Sequence, residues 1–212
     1  MSTLFVERVA VEIDGAGDAV LMLHGLGGTS NFWTPVLPAF TRFRTVRPDL
    51  PGSGRSHRVE GALSMDRFVR ALMRVCGAVG VERSHVVAHS MGTIIALHLA
   101  VLEPRLVRSL ALFGPLAAPP DANRGPIRAR GAKARSEGEP GMQQIADATV
   151  QAGTAGETRA KRLVAVAAVR AIGEKIPGAQ VEVLPRCGHW TIYEKPEECS
   201  ELLVRFYSQR FH

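Results

Sequence analysis

A serine set where an apolar strand runs into an apolar helix can be made nucleophilic, and Val86-Val87-Ala88-His89-Ser90-Met91-Gly92 has that form. A sharp turn there lifts the Ser90 hydroxyl above the sheet. It strains the serine backbone and draws strand and helix together, so the positions two before and two after must be small. Ala88 and Gly92 meet that need. The plainer role for such a serine is to cap the helix, and four further features favour the sharper reading.

The first is His24-Gly25-Leu26-Gly27-Gly28, directly after the apolar run Ala19–Leu23, whose glycines let backbone approach a ligand. The N–H groups of Leu26 and Met91 would stabilise a developing oxyanion, Met91 from a helix start where the dipole favours negative charge. The second is the turn-rich stretch Pro48-Asp49-Leu50-Pro51-Gly52-Ser53-Gly54-Arg55-Ser56, where Asp49 is expected to bond local backbone rather than do chemistry. The third is His189 in Cys187-Gly188-His189-Trp190, after the last strand-like run and before a helix opened by Pro196. Open α/β sheets place their sites at such strand ends. The fourth is the order Ser90 then His189, since a serine needs a base to be nucleophilic near neutral pH.

These residues need a sheet to hold them. Strand-like runs occur at Leu4–Ile13, Ala19–His24, Phe43–Pro48, Ser84–His89, Val107–Phe113 and Gln180–Leu184, several of them continuously apolar as in strands covered on both faces. Ser64 can cap a helix burying Phe68, Leu72, Val75, Cys76 and Val79. Ser90–Glu103 reads as a second helix, ended before Pro104. The helix from Pro196 is expected to bury Leu202, Leu203 and Phe206. Strands alternating with helices give an α/β domain with a largely parallel sheet. From Pro115 to about Gly141 the chain is rich in Pro, Gly, Ala and Arg, and Met142–Lys175 looks helical. The expected organisation is one domain over residues 1–212 with a lid-like insertion at 115–175.

Composition sets the outer bounds. With 212 residues, 46% hydrophobic and 22% charged, the chain can bury one sizeable core, which excludes a disordered or fibrous protein. The 26 basic against 20 acidic residues would suit an anionic partner, but they are spread along the chain without interleaved aromatics, so no nucleic-acid partner is expected. Cys76, Cys187 and Cys199 show neither paired spacing nor a CxxC, which favours free thiols over a disulfide framework or zinc site. Glu7, Arg8 and Glu12 stand where a secretory signal needs an apolar stretch, and the longest run free of formal charge, Val86–Leu102, reads as a buried strand and helix. A cytoplasmic protein with no membrane association is expected.

Taken together, the Ser90 turn, the His24–Gly28 loop and His189 resemble the α/β-hydrolase family, in its esterase and lactonase branch, over roughly Leu4–Pro115 and Ile176–Phe211. Ala88 stands where the family's GxSxG motif has its first glycine. The resemblance implies a mostly parallel sheet flanked by helices, with a helical lid inserted after the sixth strand. It implies cleavage of a small carboxylic ester or lactone through an acyl-enzyme, with Ser90 as nucleophile and His189 as base, and no metal or organic cofactor. Arg124, Arg128, Arg130, Lys133 and Arg135 of the lid read first as a solvated basic loop, and otherwise would suit an anionic substrate or an acidic carrier protein. The same fold hosts C–C hydrolysis, perhydrolysis, cyanohydrin cleavage and non-catalytic ligand binding, so the reaction must be argued from the site.

Such a serine–histidine pair is completed by a carboxylate that orients the imidazole. No acid is assigned here. Glu157 follows no strand, Glu174 leaves too little chain before His189, Asp121 lies beyond the end of Val107–Phe113, and Glu182 falls inside the last strand-like run. The reading is that a strand, its acidic loop and part of a helix are absent, with Arg170-Ala171-Ile172 at the join.

Overall fold

The computed structural model describes residues 2–116, 121–153 and 169–210. They form two compact units, Met1–Pro115 with Thr191–His212, and Leu116–Trp190.

The first unit is built on a six-stranded sheet: β1 (Ser2–Val6), β2 (Val9–Asp14), β3 (Ala19–Leu23), β4 (Arg44–Pro48), β5 (Ser84–His89) and β6 (Val107–Phe113). Their order is β1-β2-β4-β3-β5-β6. The β3–β4, β3–β5 and β5–β6 pairs are parallel; the β1–β2 and β2–β4 pairs are antiparallel. Residues 84–89 of β5 are all buried, as are 20–23 of β3, which explains their nearly unbroken apolar sequence. The run expected as one strand, Leu4–Ile13, is a hairpin instead. Its turn falls at Glu7, which adopts a φ of 53° without being glycine.

Helix α1 (Met65–Ala78) is capped by Ser64, whose hydroxyl accepts the Arg67 N–H at 3.3 Å. Phe68, Leu72, Val75 and Cys76 of α1 pack with Leu21, Leu23, Val46 and Val86 of the sheet and with Ile95 and Leu99 of α2 (Met91–Leu102) in one core. A 3-10 segment, Ser30–Phe40, packs against the C-terminal helix that starts at Pro196, and rings of Phe40 and Tyr207 meet at 5.8 Å. The buried residues of that helix are Cys199, Leu203 and Tyr207, four apart; Leu202 and Phe206 are only half-buried. The expected face was thus displaced by a fraction of a turn.

The second unit carries α3 (Asp121–Gly153), whose helical path breaks at Gly138, and α4, residues 169–175. The helical segment after β6 therefore begins at Asp121, well before Met142. Residues 180–184 form no strand, which corrects the expectation for Gln180–Leu184. A strand needs a neighbour to take its N–H and C=O groups, and the described residues of this unit contain no other strand. Val181 packs beside α4, filling the space a side chain on Gly173 would need. Arg170-Ala171-Ile172 lies within α4, while Glu157 lies outside the described residues. The first unit continues with α5 (Thr191–Glu194) and α6 (Pro196–Arg210). Among the described residues, no helix is long and apolar enough to cross a membrane.

Candidate active site

Ser90 stands between β5 and α2 with φ 53° and ψ −119°, a conformation that side-chain-bearing residues rarely adopt. Its side chain makes no cap hydrogen bond to α2, so the plain capping role does not account for it. The turn is tied down through its backbone. Ser90 N–H donates to the Phe113 carbonyl at 3.1 Å, and the Ser90 carbonyl accepts both the N–H of Thr93 at 2.9 Å and its hydroxyl at 2.6 Å. Gly92 makes the close approach of helix and strand possible, since a Cβ there would overlap the carbonyl oxygen of Leu23 and lie 2.7 Å from that of His24.

The loop after β3 comes up against the serine. A Cβ on Gly25 would lie 3.0 Å from the Ser90 Cβ and 2.9 Å from Nδ1 of His89. Leu26, next along, is 68% exposed, and Met91 opens α2 directly after the serine. Two buried side chains anchor this loop. His24 contacts the Gly25 carbonyl through Nδ1 at 2.7 Å and accepts the Leu50 N–H at Nε2 at 2.9 Å. Asp49 accepts the Ser30 N–H at 2.7 Å, the Arg55 N–H at 2.9 Å and Arg55 Nε at 3.0 Å. Burial would raise the Asp49 carboxyl, but the bonds from Arg55 and Ser30 outweigh it and hold its pKa below the usual range. Asp49 bonds the Arg55 backbone within its own turn-rich stretch, as expected there, but it also ties that stretch to Ser30, nineteen residues away.

The wall beside the serine is aromatic. Phe32 stacks on His89 with ring centres 4.5 Å apart, and Tyr193 of α5 tilts against Phe32 at 5.3 Å while its hydroxyl donates to the Asn31 carbonyl at 3.4 Å. Sequence reading did not find these contacts. Pro35 and Pro38 lie inside the 3-10 segment that delivers Phe32.

Ser90, Leu26 and Met91 belong to the first unit and His189 to the second. Within its own unit the His189 ring lies 6.1 Å from that of Trp190, in a loop where Arg186 takes a φ of 49°. Among the described residues, no group of three or more His, Cys, Asp or Glu side chains could hold a metal ion.

Residues 18–135 match the family model described as "alpha/beta hydrolase fold". A protein of Azorhizobium caulinodans named "Putative carbamate hydrolase RutD" is 41% identical over 102 residues, which is 48% of this chain and 38% of that protein. The dihydrolipoyllysine-residue acetyltransferase component of the acetoin cleaving system of Cupriavidus necator is 36% identical over 106 residues, 48% of this chain and 28% of that one. These alignments thus span well under half of each relative. Among solved structures, the enol-lactonase from Burkholderia xenovorans LB400 superimposes with a TM-score of 0.82 at 18% identity, covering 98% of this chain and 100% of that one. At that identity the likeness concerns the fold. The sheet order, the strained serine turn against the glycine loop, and a family match across more than half the sequence agree: the chain belongs to the alpha/beta hydrolase fold family.

Proposed function

We propose that this chain carries the nucleophile of a serine hydrolase that cleaves a small carboxylic ester or lactone through an acyl-enzyme. Ser90 Oγ attacks the carbonyl carbon as His189 takes its proton, and the N–H groups of Leu26 and Met91 hold the resulting oxyanion. The tetrahedral intermediate collapses by expelling the alcohol oxygen, which receives the proton from His189. Water, deprotonated by the same histidine, then releases the acid and restores Ser90. The acid that would orient His189 is not assigned. The setting of such chemistry is the cytoplasm in this reading, with the basic side chains of α3 suited to an anionic substrate.

The observation that carries the reading is the Ser90 backbone, held at φ 53° with Gly25 against its Cβ. Strain of this kind costs about 1–3 kcal/mol and persists where the surroundings over-determine it, as at active sites. The name of the Azorhizobium caulinodans relative, a putative carbamate hydrolase, supports hydrolysis as the reaction class. Intact-mass labelling with a fluorophosphonate tests it: stoichiometric modification that vanishes in Ser90→Ala is expected. A folded protein that takes no label favours a ligand-binding member of the fold instead.

A further inference from the structure

His24 is completely buried, and both of its ring nitrogens are committed. The Leu50 N–H can only donate, so Nε2 must offer it a lone pair. The ring proton is then on Nδ1, and it donates to the Gly25 carbonyl. That carbonyl also accepts the Gly28 N–H at 3.1 Å. Two donors on one oxygen fix the plane of the peptide that joins Gly25 to Leu26. The N–H at the other side of that same rigid plane is the Leu26 N–H, and it points opposite to the carbonyl.

Resting on the serine-hydrolase reading above, we propose that His24 is a positioning residue: its neutral Nδ1–H form aims the Leu26 N–H at the oxyanion, and its protonation releases that donor. An imidazolium would set a second N–H against the Leu50 N–H across 2.9 Å, leaving no acceptor between them. The completely buried ring is out of reach of bulk solvent. The loop would have to move, and Gly25 would leave the Ser90 Cβ it now faces.

The groups that face His24 decide where it protonates. Asp49 is the charged one and favours the imidazolium, but its carboxylate is already engaged by Arg55 and Ser30. His89 lies across Gly25. Burial opposes the cation most strongly, and the Gly25 carbonyl and Asp49 do not offset it, so His24 titrates below the ordinary 6.5. Reactivity of Ser90 should then carry an acidic limb from His24 in addition to that from the general base.

The second-order rate of fluorophosphonate labelling, followed between pH 4.5 and 8, tests this without a known substrate. In the wild-type chain the rate should fall with two ionisations at the acid end. In His24→Asn, which has no titrating ring, the rate at pH 7.5 should drop by about 10- to 100-fold, less than or equal to the loss of an oxyanion donor, and one ionisation should disappear. An unchanged profile in that variant overturns the proposal. Nitrogen-15 NMR of wild-type His24 gives an independent check, with a neutral Nδ1–H ring at pH 7 expected; an Nε2–H ring overturns it equally. A wild-type chain that takes no label, with His24 showing Nδ1–H, overturns the hydrolase reading and the catalytic role with it, while leaving the loop clamp in place.

Discussion

The α-carbon of Gly92 faces the carbonyl oxygen of Leu23 so closely that no side chain fits between them. Both contacts below it, the carbonyls of Leu23 and His24, are backbone, Leu23 ending β3 where it pairs with Ala88 of β5 and His24 following directly. Neither can retreat as a flexible side chain would. Gly92→Ala should therefore cost about 2–3 kcal/mol, the upper part of the range for overpacking, measured as a lower denaturant midpoint at unchanged slope. Gly77→Ala is the control, because a Cβ there meets nothing within 4 Å, and helix propensity should make it neutral or slightly stabilising.

Ser90 tests the same turn from the other side. A residue without a Cβ tolerates φ 53°, so Ser90→Gly should be more stable than Ser90→Ala by about 1 kcal/mol, the strain relieved less the extra freedom of glycine in the unfolded chain. Both variants remove the hydroxyl and should abolish labelling alike. Thermal melts of the pair measure the difference directly. Equal stability would mean that the serine backbone carries no strain.

How much of this was legible beforehand depends on the range of each interaction. Strands β3 and β5 declare themselves because parallel strands covered on both faces need apolar residues throughout, and the Ser90 turn because its neighbours must be small. The β1–β2 hairpin does not, since Glu7 takes a positive φ without the glycine or asparagine that would mark a turn. Nor can alternation alone make Gln180–Leu184 a strand, because pairing depends on a neighbour that local sequence does not supply. The role of His24 is equally hidden: a histidine before a glycine is visible, but the partner that sets its tautomer is Leu50, twenty-six residues on.

Glu12 and Arg47 face each other across β2 and β4, both nearly inaccessible, with Nη2 of the arginine 3.5 Å from the carboxylate. Arg55 also reaches Glu12, at 2.7 Å, and its half-exposed side chain can turn to water when that partner is lost. Arg47 cannot. Glu12→Leu should thus cost about 3–5 kcal/mol by stranding a buried guanidinium, while Glu12→Leu with Arg47→Met should recover most of it. Denaturant titrations of both variants decide the matter, and a double variant as unstable as the single one would place the loss elsewhere.

His85 gives the fold itself an acid sensitivity. Its ring lies among Phe43 and Tyr207, and Nδ1 is 2.8 Å from the Ser109 hydroxyl. Burial lowers its pKa most, the charge of Arg108 adds to this, and the group falls from 6.5 to about 4. Above pH 6.5 the ring is neutral in both folded and unfolded chains and stability is unaffected. Between 6.5 and 4 the unfolded chain binds a proton that the folded chain refuses, so stability declines as pH falls and the full loss is reached below about 4. His24, lowered in the same direction, adds to the slope within this window. Unfolding free energies measured at pH 7.5 and 4.5 should differ less in His85→Asn than in the wild-type chain, with the remaining difference reduced again when His24→Asn is added. A difference that His85→Asn leaves intact would show that this histidine is protonated in the folded protein.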